Sequence, residues 1–305
     1  MLVQLDFKTC KPEWASSIVC IGTFDGFHLG HQAVVLKAIE LAKRADLPVG
    51  LITFDRNPLA VLAPKRAPKK VASWQKTIQL ADEMGASFAL VLKFTPELSQ
   101  MTAQDFLDLV IKNGCHASEV VVGQDFALGH KRQGTAEWLS NKIRTSIVNP
   151  IEINGIRVSS TQIRGKIAEG DIAGANQSLG RPFSLNGIVV GGEKVGRTLG
   201  FPTANLAQFD DQIVPSDGVY GGFANTVFGK FRAAISIGNR PSIGDRSRAV
   251  EGYLIDYSGK NLYGTEIEFG FLTKIRNQER FESIDELKLQ MTKDVEALRS
   301  EMKWM

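Results

Sequence analysis

Hydrophobic positions in the first half of the chain fall into short apolar runs that alternate with segments of helical periodicity. The runs SIVCIGTF, PVGLITF, SFALVLKF and SEVVVGQDF predict buried strands. The segment HQAVVLKAIELAKRA, which follows the first run, has the apolar spacing of a helix. Strands alternating with helices predict a parallel sheet with crossover helices, so residues 17–150 are expected to bind ligands at the carboxyl ends of their strands.

After Phe183 the pattern becomes β-rich. The runs NGIVVGG, VYGGFANTVFG, KFRAAISIG, AVEGYLIDYSG and LYGTEIEFGFL are separated by turn-forming residues. Short strands at this spacing predict a small barrel or sandwich. The final segment, SIDELKLQMTKDVEALRSEM, predicts an amphipathic helix with Ser283 as its N-cap and Glu286 at the capping-box position.

Residues 159–182 lie between the alternating strand–helix pattern and the β-rich pattern, and they differ from both. It predicts one helix ending near Gly170 and a second, short helix N-capped by Asp171. Arg181 precedes a proline, and a residue before proline is disfavoured in a helix. We therefore predict two domains, residues 1–182 and 183–305.

Length, net charge and apolar content limit the classes of function that the chain can have. The chain has 305 residues, enough for two modest domains, and its 36 basic and 33 acidic residues give a net charge of only +3. That excess argues against nucleic acid and is compatible with small anionic substrates. No signal-peptide pattern and no apolar run of about 20 residues is present, so we expect no membrane association.

The cysteines are Cys10, Cys20 and Cys115. An odd number without close spacing predicts neither a disulfide framework nor a zinc site. A cytoplasmic location is the simplest expectation. The sequence carries no signal for an oligomeric state.

The segment GTFDGFHLGH links the first predicted strand to the first predicted helix. His28 and His31 stand three residues apart, so one helical turn places both rings on the same side. Gly26 and Gly30 permit close approach of the backbone. Imidazoles at a helix N-terminus can donate hydrogen bonds to phosphate oxygens, although two histidines at the start of an ordinary helix satisfy the same pattern.

A second element of this kind is SSTQIR, which leads into the helix ending near Gly170. It offers three adjacent hydroxyls, on Ser159, Ser160 and Thr161, and one guanidinium, on Arg164. Such a segment can hold the phosphates of a nucleotide. The alternative is a simple helix cap.

The segment GGEKVGRTLGFPTANL contains a near-match to a phosphate-binding P-loop, but an arginine replaces the required lysine and no helix follows. A glycine-rich hairpin turn is the alternative. Thr203 and Asn205 are spaced by two, so in an extended segment both point to one face. A hydroxyl and an amide oxygen there can ligate a hard cation such as Mg²⁺.

Longer strings carry a family resemblance. GTFDGFHLGH, VVGQDFALGHKRQG and VSSTQIRGKIAEGDIAGANQSLGRPF resemble, in order, motifs of the bacterial bifunctional riboflavin kinase/FAD synthetase (FMN adenylyltransferase) family. GRTLGFPTANL, PSDGVYGG, SIGNRPSIG, VEGYLIDYSGKNLYG and KIRNQERFESIDELKLQMTKDV continue the resemblance to the C-terminus. It implies a nucleotidyltransferase-type, Rossmann-like α/β domain that transfers AMP from ATP to FMN. It also implies a six-stranded antiparallel barrel that phosphorylates riboflavin with ATP and Mg²⁺.

The resemblance also implies roles for particular residues. Catalytic roles fall to Glu251, as the base of the kinase reaction, and to His28, His31 and Arg164. ATP would be bound by Gly22, Phe24, Asp25, Gly30, Ser159, Ser160, Thr161, Gly191, Gly196 and Arg197. Flavin would be bound by Asp125, Phe126, Arg276 and Phe281. Thr203 and Asn205 would hold Mg²⁺. For Glu251 the alternative is a solvent-facing strand residue.

The chain departs from the family pattern at two places. Where the family has Pro-His-Pro after the second strand, this chain reads TFDRNP, so Asn57 replaces a histidine. An asparagine can donate a hydrogen bond but carries no positive charge. Where the family has phenylalanine and glycine, this chain has Leu128 and Gly129. Adenylylation is expected to persist at a lower rate, and a specialised or inactive N-terminal domain is the alternative.

Two other functions fit parts of the sequence. A nucleotidyltransferase with another acceptor, such as nicotinate mononucleotide or phosphopantetheine, would use the same histidine pair, but the kinase motifs argue against it. A non-catalytic nucleic-acid or flavin-binding protein is the other. The small net charge and the presence of His28, His31, Asn205 and Glu251 argue against that one.

Overall fold

The computed structural model describes residues 1–7, 16–192, 199–208, 211–239 and 248–301. The chain forms two compact units, Met1–Ser160 and Thr161–Met305. Each unit has its own sheet and core, as the change of pattern along the sequence predicts. The functional boundary between residues 182 and 183 stays a prediction.

The first unit alternates strands and helices. Its described strands are β1 (Leu2–Gln4), β2 (Ser17–Ile21), β3 (Val49–Phe54), β4 (Phe88–Leu92), β5 (Ala117–Gly123), β6 (Ala127–Leu128), β7 (Gly134–Thr135), β8 (Arg144–Val148), β9 (Glu152–Ile153) and β10 (Ile156–Arg157). Its described helices are α1 (Leu29–Ala45), α2 (Leu59–Leu62), α3 (Trp74–Met84), α4 (Pro96–Gln100), α5 (Ala103–Asp105) and α6 (Ala136–Ser140). Helix α5 continues as a π-helix, Phe106–Gly114, and 3₁₀ turns cover Pro64–Arg66 and His130–Arg132.

A parallel sheet in the order β1-β4-β3-β2-β5-β8 organises this unit. From β2 the chain builds outward through β3 to β4, and then returns to place β5 on the other side of β2. The strand order therefore reverses between β2 and β5. In open α/β sheets, the crevice at the carboxyl ends of such a strand pair is the usual ligand site.

Strand β2 shows why its sequence is a continuous apolar run. All five of its residues are buried. Val19 and Ile21 belong to the core layer beneath the π-helix, whereas Ile18 and Cys20 belong to the layer beneath α1. A parallel strand covered on both faces has no polar side, so hydrophobicity does not alternate along it.

The second unit begins with two helices, α7 (Ser160–Glu169), which starts at the last residue of the first unit, and α8 (Ile172–Leu179). The described strands that follow are β11 (Phe183–Val190), β12 (Thr203–Gln208), β13 (Gly218–Thr226), β14 (Gly229–Asn239), β15 (Arg248–Leu254) and β16 (Glu266–Arg276). They close into an antiparallel barrel in the order β11-β12-β15-β14-β13-β16. Helix α9 (Ile284–Glu301) follows the barrel. The predicted order of an α/β domain, a small barrel and a C-terminal helix is confirmed.

Helix α8 packs against the barrel through Asn176. Its side-chain amide donates to the Phe271 carbonyl (2.8 Å) and accepts from the Phe183 backbone N–H (2.6 Å). Asp171 caps α8 as predicted, because its carboxylate accepts from the Gly174 N–H (2.9 Å). The α7–α8 segment therefore shares hydrogen bonds with the barrel.

The start of α9 also follows the prediction. The Ser283 hydroxyl accepts from the Glu286 N–H (3.2 Å), as an N-cap does. The Glu286 carboxylate accepts from the N–H of Glu282, one residue before the cap (3.0 Å). Val295 and Leu298 then pack this helix onto the outer face of the barrel. Within the described ranges, no helix is both long and apolar enough to cross a membrane.

Candidate active sites

The loop between β2 and α1 is strained. Phe24 and Phe27 have φ values of 46° and 45°, in the left-handed region that bulky residues avoid. Both rings are buried, and the Phe27 N–H donates to the Phe24 carbonyl (2.9 Å). Strain of this kind persists where the surrounding structure holds it, and such residues cluster at functional sites. The loop lies at the carboxyl end of β2, next to the reversal of strand order.

Three contacts hold this loop. The Asp25 carboxylate accepts from the backbone N–H of Val71 (2.8 Å), and the Asp25 carbonyl accepts from the Ser160 hydroxyl (2.8 Å). The Thr77 hydroxyl, on α3, donates to the Phe24 carbonyl (3.3 Å). Asp25 therefore shapes the loop through its side chain, and Ser160 buttresses it from the start of α7. Sequence reasoning missed Thr77 and Phe27, because neither belongs to a local polar motif.

The two histidines form a stacked pair. Their ring centroids are 3.6 Å apart, with an interplanar angle of 18°. His28 is the N-cap of α1, and its Nδ1 accepts from the His31 backbone N–H (3.4 Å). A Cβ on Gly30 would lie 3.1 Å from Cε1 of His28, so a glycine makes room for the ring. The predicted placement of both rings on one side of the first turn is confirmed.

Burial keeps both imidazoles neutral. It lowers the pKa of His28 to about 4, against a smaller raising effect of a backbone hydrogen bond, and the Arg157 charge lowers it further. Burial, and then the neighbouring His28, hold the pKa of His31 well below its usual value. A neutral His28 that accepts at Nδ1 carries its proton on Nε2 and can donate from there. Within the described part of the chain, Nδ1 of His31 is buried and has no hydrogen-bond partner, and a catalytic role is one of the explanations for such a group.

Asp125 lies just beyond β5, beside the reversal of strand order. It is exposed and forms an ion pair with Arg157, the last residue of the short strand β10. The Asp125 carbonyl accepts from the Arg132 guanidinium (3.1 Å). Phe126 is half-buried against the core layer beneath the π-helix. Arg157 was not found from the sequence, because it stands just outside the SSTQIR motif.

The second predicted phosphate element lies at the start of α7. Ser159 and Ser160 are half-buried, whereas Thr161 is exposed. The Arg164 guanidinium donates to the Thr161 hydroxyl one turn earlier (3.2 Å). A helical turn therefore brings a hydroxyl and a guanidinium together, because residues three apart are neighbours on a helix.

The departures from the family pattern have local explanations. Asn57 is half-buried after β3, and its side-chain oxygen accepts from the Leu59 N–H (2.9 Å) at the start of α2. Asparagine is well suited to this bond to the backbone two residues later, an Asx turn. Leu128 is buried in the core layer beneath the π-helix. Gly129 has a φ of 75°, and its backbone touches Ala103 so closely that a Cβ would collide.

On the barrel, the predicted kinase residues meet on one outer face. Asn205 of β12 is the direct strand partner of Glu251 of β15. Opposed residues of an antiparallel pair project to the same side. The Thr203 hydroxyl donates to Glu251 Oε2 (3.3 Å). Asn205 is buried, and a Cβ on Gly192 would collide with its amide, so the backbone at Gly192 passes directly over it.

A cleft of about 450 Å³ opens beside these residues. Thr203 and Asn205 form one wall, and the segment 257–263 forms another. Gly196 and Arg197 lie outside the described residues. Among the described residues, no three His, Cys, Asp or Glu side chains converge on a metal position. A hydroxyl, an amide and a carboxylate nonetheless suit Mg²⁺, which binds few protein oxygens and keeps waters and substrate phosphates as ligands.

Arg276 and Phe281 flank the turn between β16 and α9. The Arg276 guanidinium lies 5.7 Å from the Phe281 ring centroid. Its Nε and Nη2 donate to the buried Asp294 carboxylate of α9 (3.0 and 2.9 Å). Arg276 therefore ties the end of the barrel to the final helix, and its predicted contact with flavin stays a prediction.

Comparison with known proteins covers nearly the whole chain. Residues 10–162 match the family model for FAD synthetase, and residues 179–302 match the family model for riboflavin kinase. The chain is 34% identical over 286 residues to the bifunctional riboflavin kinase/FMN adenylyltransferase of Haemophilus influenzae, with 92% of each chain covered. The protein of that description from Pseudomonas fluorescens is 33% identical over 95% of this chain and 94% of its own.

A solved structure is similar over the same extent. It is described as a macrolide-efflux protein from Streptococcus pneumoniae, with a TM-score of 0.88 and 31% identity. The match covers 100% of this chain and 99% of that one. The likeness in sequence and in fold therefore includes both units.

Proposed function

The chain belongs to the family of bifunctional riboflavin kinase/FMN adenylyltransferases, and on that premise we propose which residues carry the two reactions. The protein is an enzyme with an N-terminal FAD synthetase domain and a C-terminal riboflavin kinase domain. ATP phosphorylates riboflavin to FMN, and a second ATP adenylylates FMN to FAD with release of pyrophosphate. The observation that carries this conclusion is the match of both family models, in order, along one chain.

For adenylyl transfer we assign the strained β2–α1 loop to ATP. A phosphate oxygen of FMN attacks the α-phosphorus of ATP, and the bond to pyrophosphate breaks. The reaction needs no protein nucleophile, so the site has to position two anions and stabilise the added charge. His28 and His31, neutral in the resting enzyme, supply N–H donors, and Gly22, Phe24, Asp25 and Gly30 shape the loop around the nucleotide.

We assign the β- and γ-phosphates of this ATP to Ser159, Ser160, Thr161 and Arg164. Arg164 with Thr161 offers a charged donor beside a hydroxyl, the combination that phosphate recognition uses. Asp125 and Phe126 follow β5 at the reversal of strand order, where a second ligand would lie against the first. We assign them to the flavin phosphate and its surroundings.

For riboflavin phosphorylation we assign Glu251 as the base. Its carboxylate accepts the proton of the riboflavin 5′-hydroxyl while that oxygen attacks the γ-phosphorus of ATP and ADP leaves. Thr203 and Asn205 would hold Mg²⁺, which would neutralise charge on the ATP phosphates. The cleft beside them, with the backbone of Gly191 and Gly192, takes the nucleotide. Arg276 and Phe281 form part of the flavin site.

The presence of the riboflavin kinase domain argues against an acceptor other than FMN. A nucleotidyltransferase for nicotinate mononucleotide or phosphopantetheine has no use for a riboflavin kinase domain. A two-step route from riboflavin to FAD uses both domains, because the FMN made by the kinase domain is the substrate of the FAD synthetase domain. We propose that it operates in the cytoplasm, where ATP is available for both steps.

One assay tests the whole assignment. The full-length protein is incubated with riboflavin, ATP and Mg²⁺, and riboflavin, FMN and FAD are separated by chromatography. We expect FMN to appear first and FAD to follow. Formation of FMN without FAD would support the alternative of a specialised or inactive N-terminal domain. Formation of neither flavin would contradict the proposed function.

The kinase domain should work alone. We expect residues 183–305 to convert riboflavin to FMN, because the residues assigned to that step lie within this range. A fragment of residues 161–305 is the matched control, since it keeps the Asn176 hydrogen bonds between α8 and the barrel. A folded 161–305 fragment without kinase activity would show that the barrel depends on the first unit. Activity in the longer fragment alone would show that the kinase domain also needs residues between 161 and 182.

Asn57→His should raise or at least preserve adenylyl transfer. The position follows β3, at the carboxyl edge of the sheet, where an added imidazole can approach the substrate phosphates. An imidazole has an ordinary pKa of about 6.5, so we expect the gain to be larger at pH 6 than at pH 8. FAD formation from supplied FMN is the measurement.

The matched control for this substitution is Asn57→Asp, which keeps an oxygen to accept from the Leu59 N–H but adds negative charge. It should slow adenylyl transfer. A sharp loss of FAD formation in Asn57→His, with circular dichroism unchanged, would mean that the site is built around asparagine.

A further inference from the structure

A polar row crosses three neighbouring strands on the outer face of the barrel. Asn205 on β12 is opposite Glu251 on β15, and Glu251 is opposite Ser236 on β14. Directly opposed residues of antiparallel strands share a face, and neighbouring strands lie about 4.8 Å apart. In the adjacent positions of these strands, Ala204 and Ile235 are buried. The row therefore faces outward, with Glu251 in its middle.

Each end of the row is covered by backbone or side chain. At the Asn205 end, Gly192 lies against the amide. At the Ser236 end, Gln278 from the turn after β16 reaches across β14 and lies above Gly238, where a Cβ would come within 3.1 Å of its Nε2. We call the space above Glu251, between these two covered ends, the slot.

The Gln278 amide has only one orientation that satisfies its neighbours. Its Nε2 lies 3.0 Å from the Ile237 carbonyl oxygen and 2.9 Å from the Ser236 hydroxyl. A carbonyl only accepts hydrogen bonds, so the NH₂ group, and not the amide oxygen, must face this pair. An NH₂ group only donates, and Ser236 Oγ is therefore an acceptor from Gln278.

This bond leaves the Ser236 proton for another partner. A hydroxyl has one proton and two lone pairs, and the Gln278 bond uses a lone pair. The described part of the chain provides no acceptor for that proton. Ser236 is half-buried beside Glu251, so its O–H is held as a donor at the edge of the slot.

We propose that Ser236, oriented by Gln278, binds the ribityl chain of riboflavin by donating to the hydroxyl next to the one that is phosphorylated. The inference rests on the proposed role of Glu251. If the 5′-hydroxyl lies over Glu251 and the ATP phosphates lie toward Asn205, the rest of the polyol extends toward Ser236. Adjacent hydroxyls of a polyol are about one strand spacing or less apart, so the 4′-hydroxyl reaches Ser236 while the 5′-hydroxyl reaches Glu251. Ser236 thereby recognises a 1,2-diol.

The test compares two substrates in the full-length enzyme. Ser236→Ala should lower kcat/KM for riboflavin about 3- to 10-fold, the effect of losing one neutral hydrogen bond. The loss should fall mainly on the KM for riboflavin, with the KM for ATP and the adenylylation of supplied FMN unchanged. With 4′-deoxyriboflavin, wild type and Ser236→Ala should be equal, because the group that Ser236 binds is absent.

Two further variants separate binding from structure. Ser236→Thr retains the hydroxyl and should restore riboflavin kcat/KM to near wild type. Gln278→Met cannot orient Ser236 and should give a riboflavin KM between those of wild type and Ser236→Ala. Equal losses on riboflavin and 4′-deoxyriboflavin in Ser236→Ala would overturn the proposal. Full kinase activity in Glu251→Gln would contradict the proposed role of Glu251. That failure is distinguishable from failure of the Ser236 proposal, because it appears in a different variant.

Discussion

Glu251→Gln is expected to lower the rate of riboflavin phosphorylation by roughly 10²–10⁴, the usual contribution of a general base. Glutamine has nearly the same shape, and its amide oxygen can still accept from the Thr203 hydroxyl, so the strand pairing with Asn205 should persist. It cannot take up the proton of the attacking alcohol. The kcat for riboflavin should therefore fall much more than the KM changes. The readout is FMN formation at saturating ATP.

The same chain provides two controls. Adenylylation of supplied FMN should remain at the wild-type rate, which shows that the first unit is intact. Glu266→Gln removes an exposed carboxylate from β16 of the same barrel and should leave both rates unchanged. If Glu251→Gln made FMN at the wild-type rate, Glu251 would be an ordinary strand residue on the outer face.

Much of the fold follows from the sequence because its strands carry strong local signals. The runs that form β2, β3, β4 and β5 are predominantly apolar, as covered parallel strands require. Strand β1 gives no such signal, because it has three residues, lies at an edge of the sheet and is largely exposed. The sequence does not reveal the π-helix either, because its apolar spacing is that of any buried helix.

The candidate sites also combine features that the local sequence predicts with features that it does not. His28 and His31 are close in sequence, so one turn of helix predicts that their rings share a side. The strain at Phe24 and Phe27 arises from contacts with distant segments, such as Thr77, which no local pattern specifies. The row that contains Glu251 depends on the register of three strands. Two of them, β12 and β15, pair although they are not consecutive in the chain, so no local turn sets their register.

Replacing either His28 or His31 with alanine is expected to lower FAD formation by roughly 10²–10³, the typical cost of losing one preorganised donor to a charged transition state. Burial holds the pKa of His28 at about 4, so the ring is neutral in the free enzyme throughout the range from pH 6 to 8. It acts there as a fixed N–H donor. The FAD synthetase rate of the wild type should therefore show no loss on raising the pH through 6.5, where an ordinary histidine loses its charge.

The two substitutions differ in their structural cost. His28→Ala also removes the acceptor for the His31 N–H at the start of α1, and losing an N-cap costs about 1 kcal/mol. His28→Asn is the matched control, because asparagine is a good N-cap but places its donor elsewhere. It should restore the melting temperature of the first unit without restoring FAD formation. Riboflavin phosphorylation by the same molecule should stay nearly unchanged in every variant. Recovery of FAD formation in His28→Asn would mean that His28 serves only as a cap, and the charge-stabilising role would then rest on His31 alone.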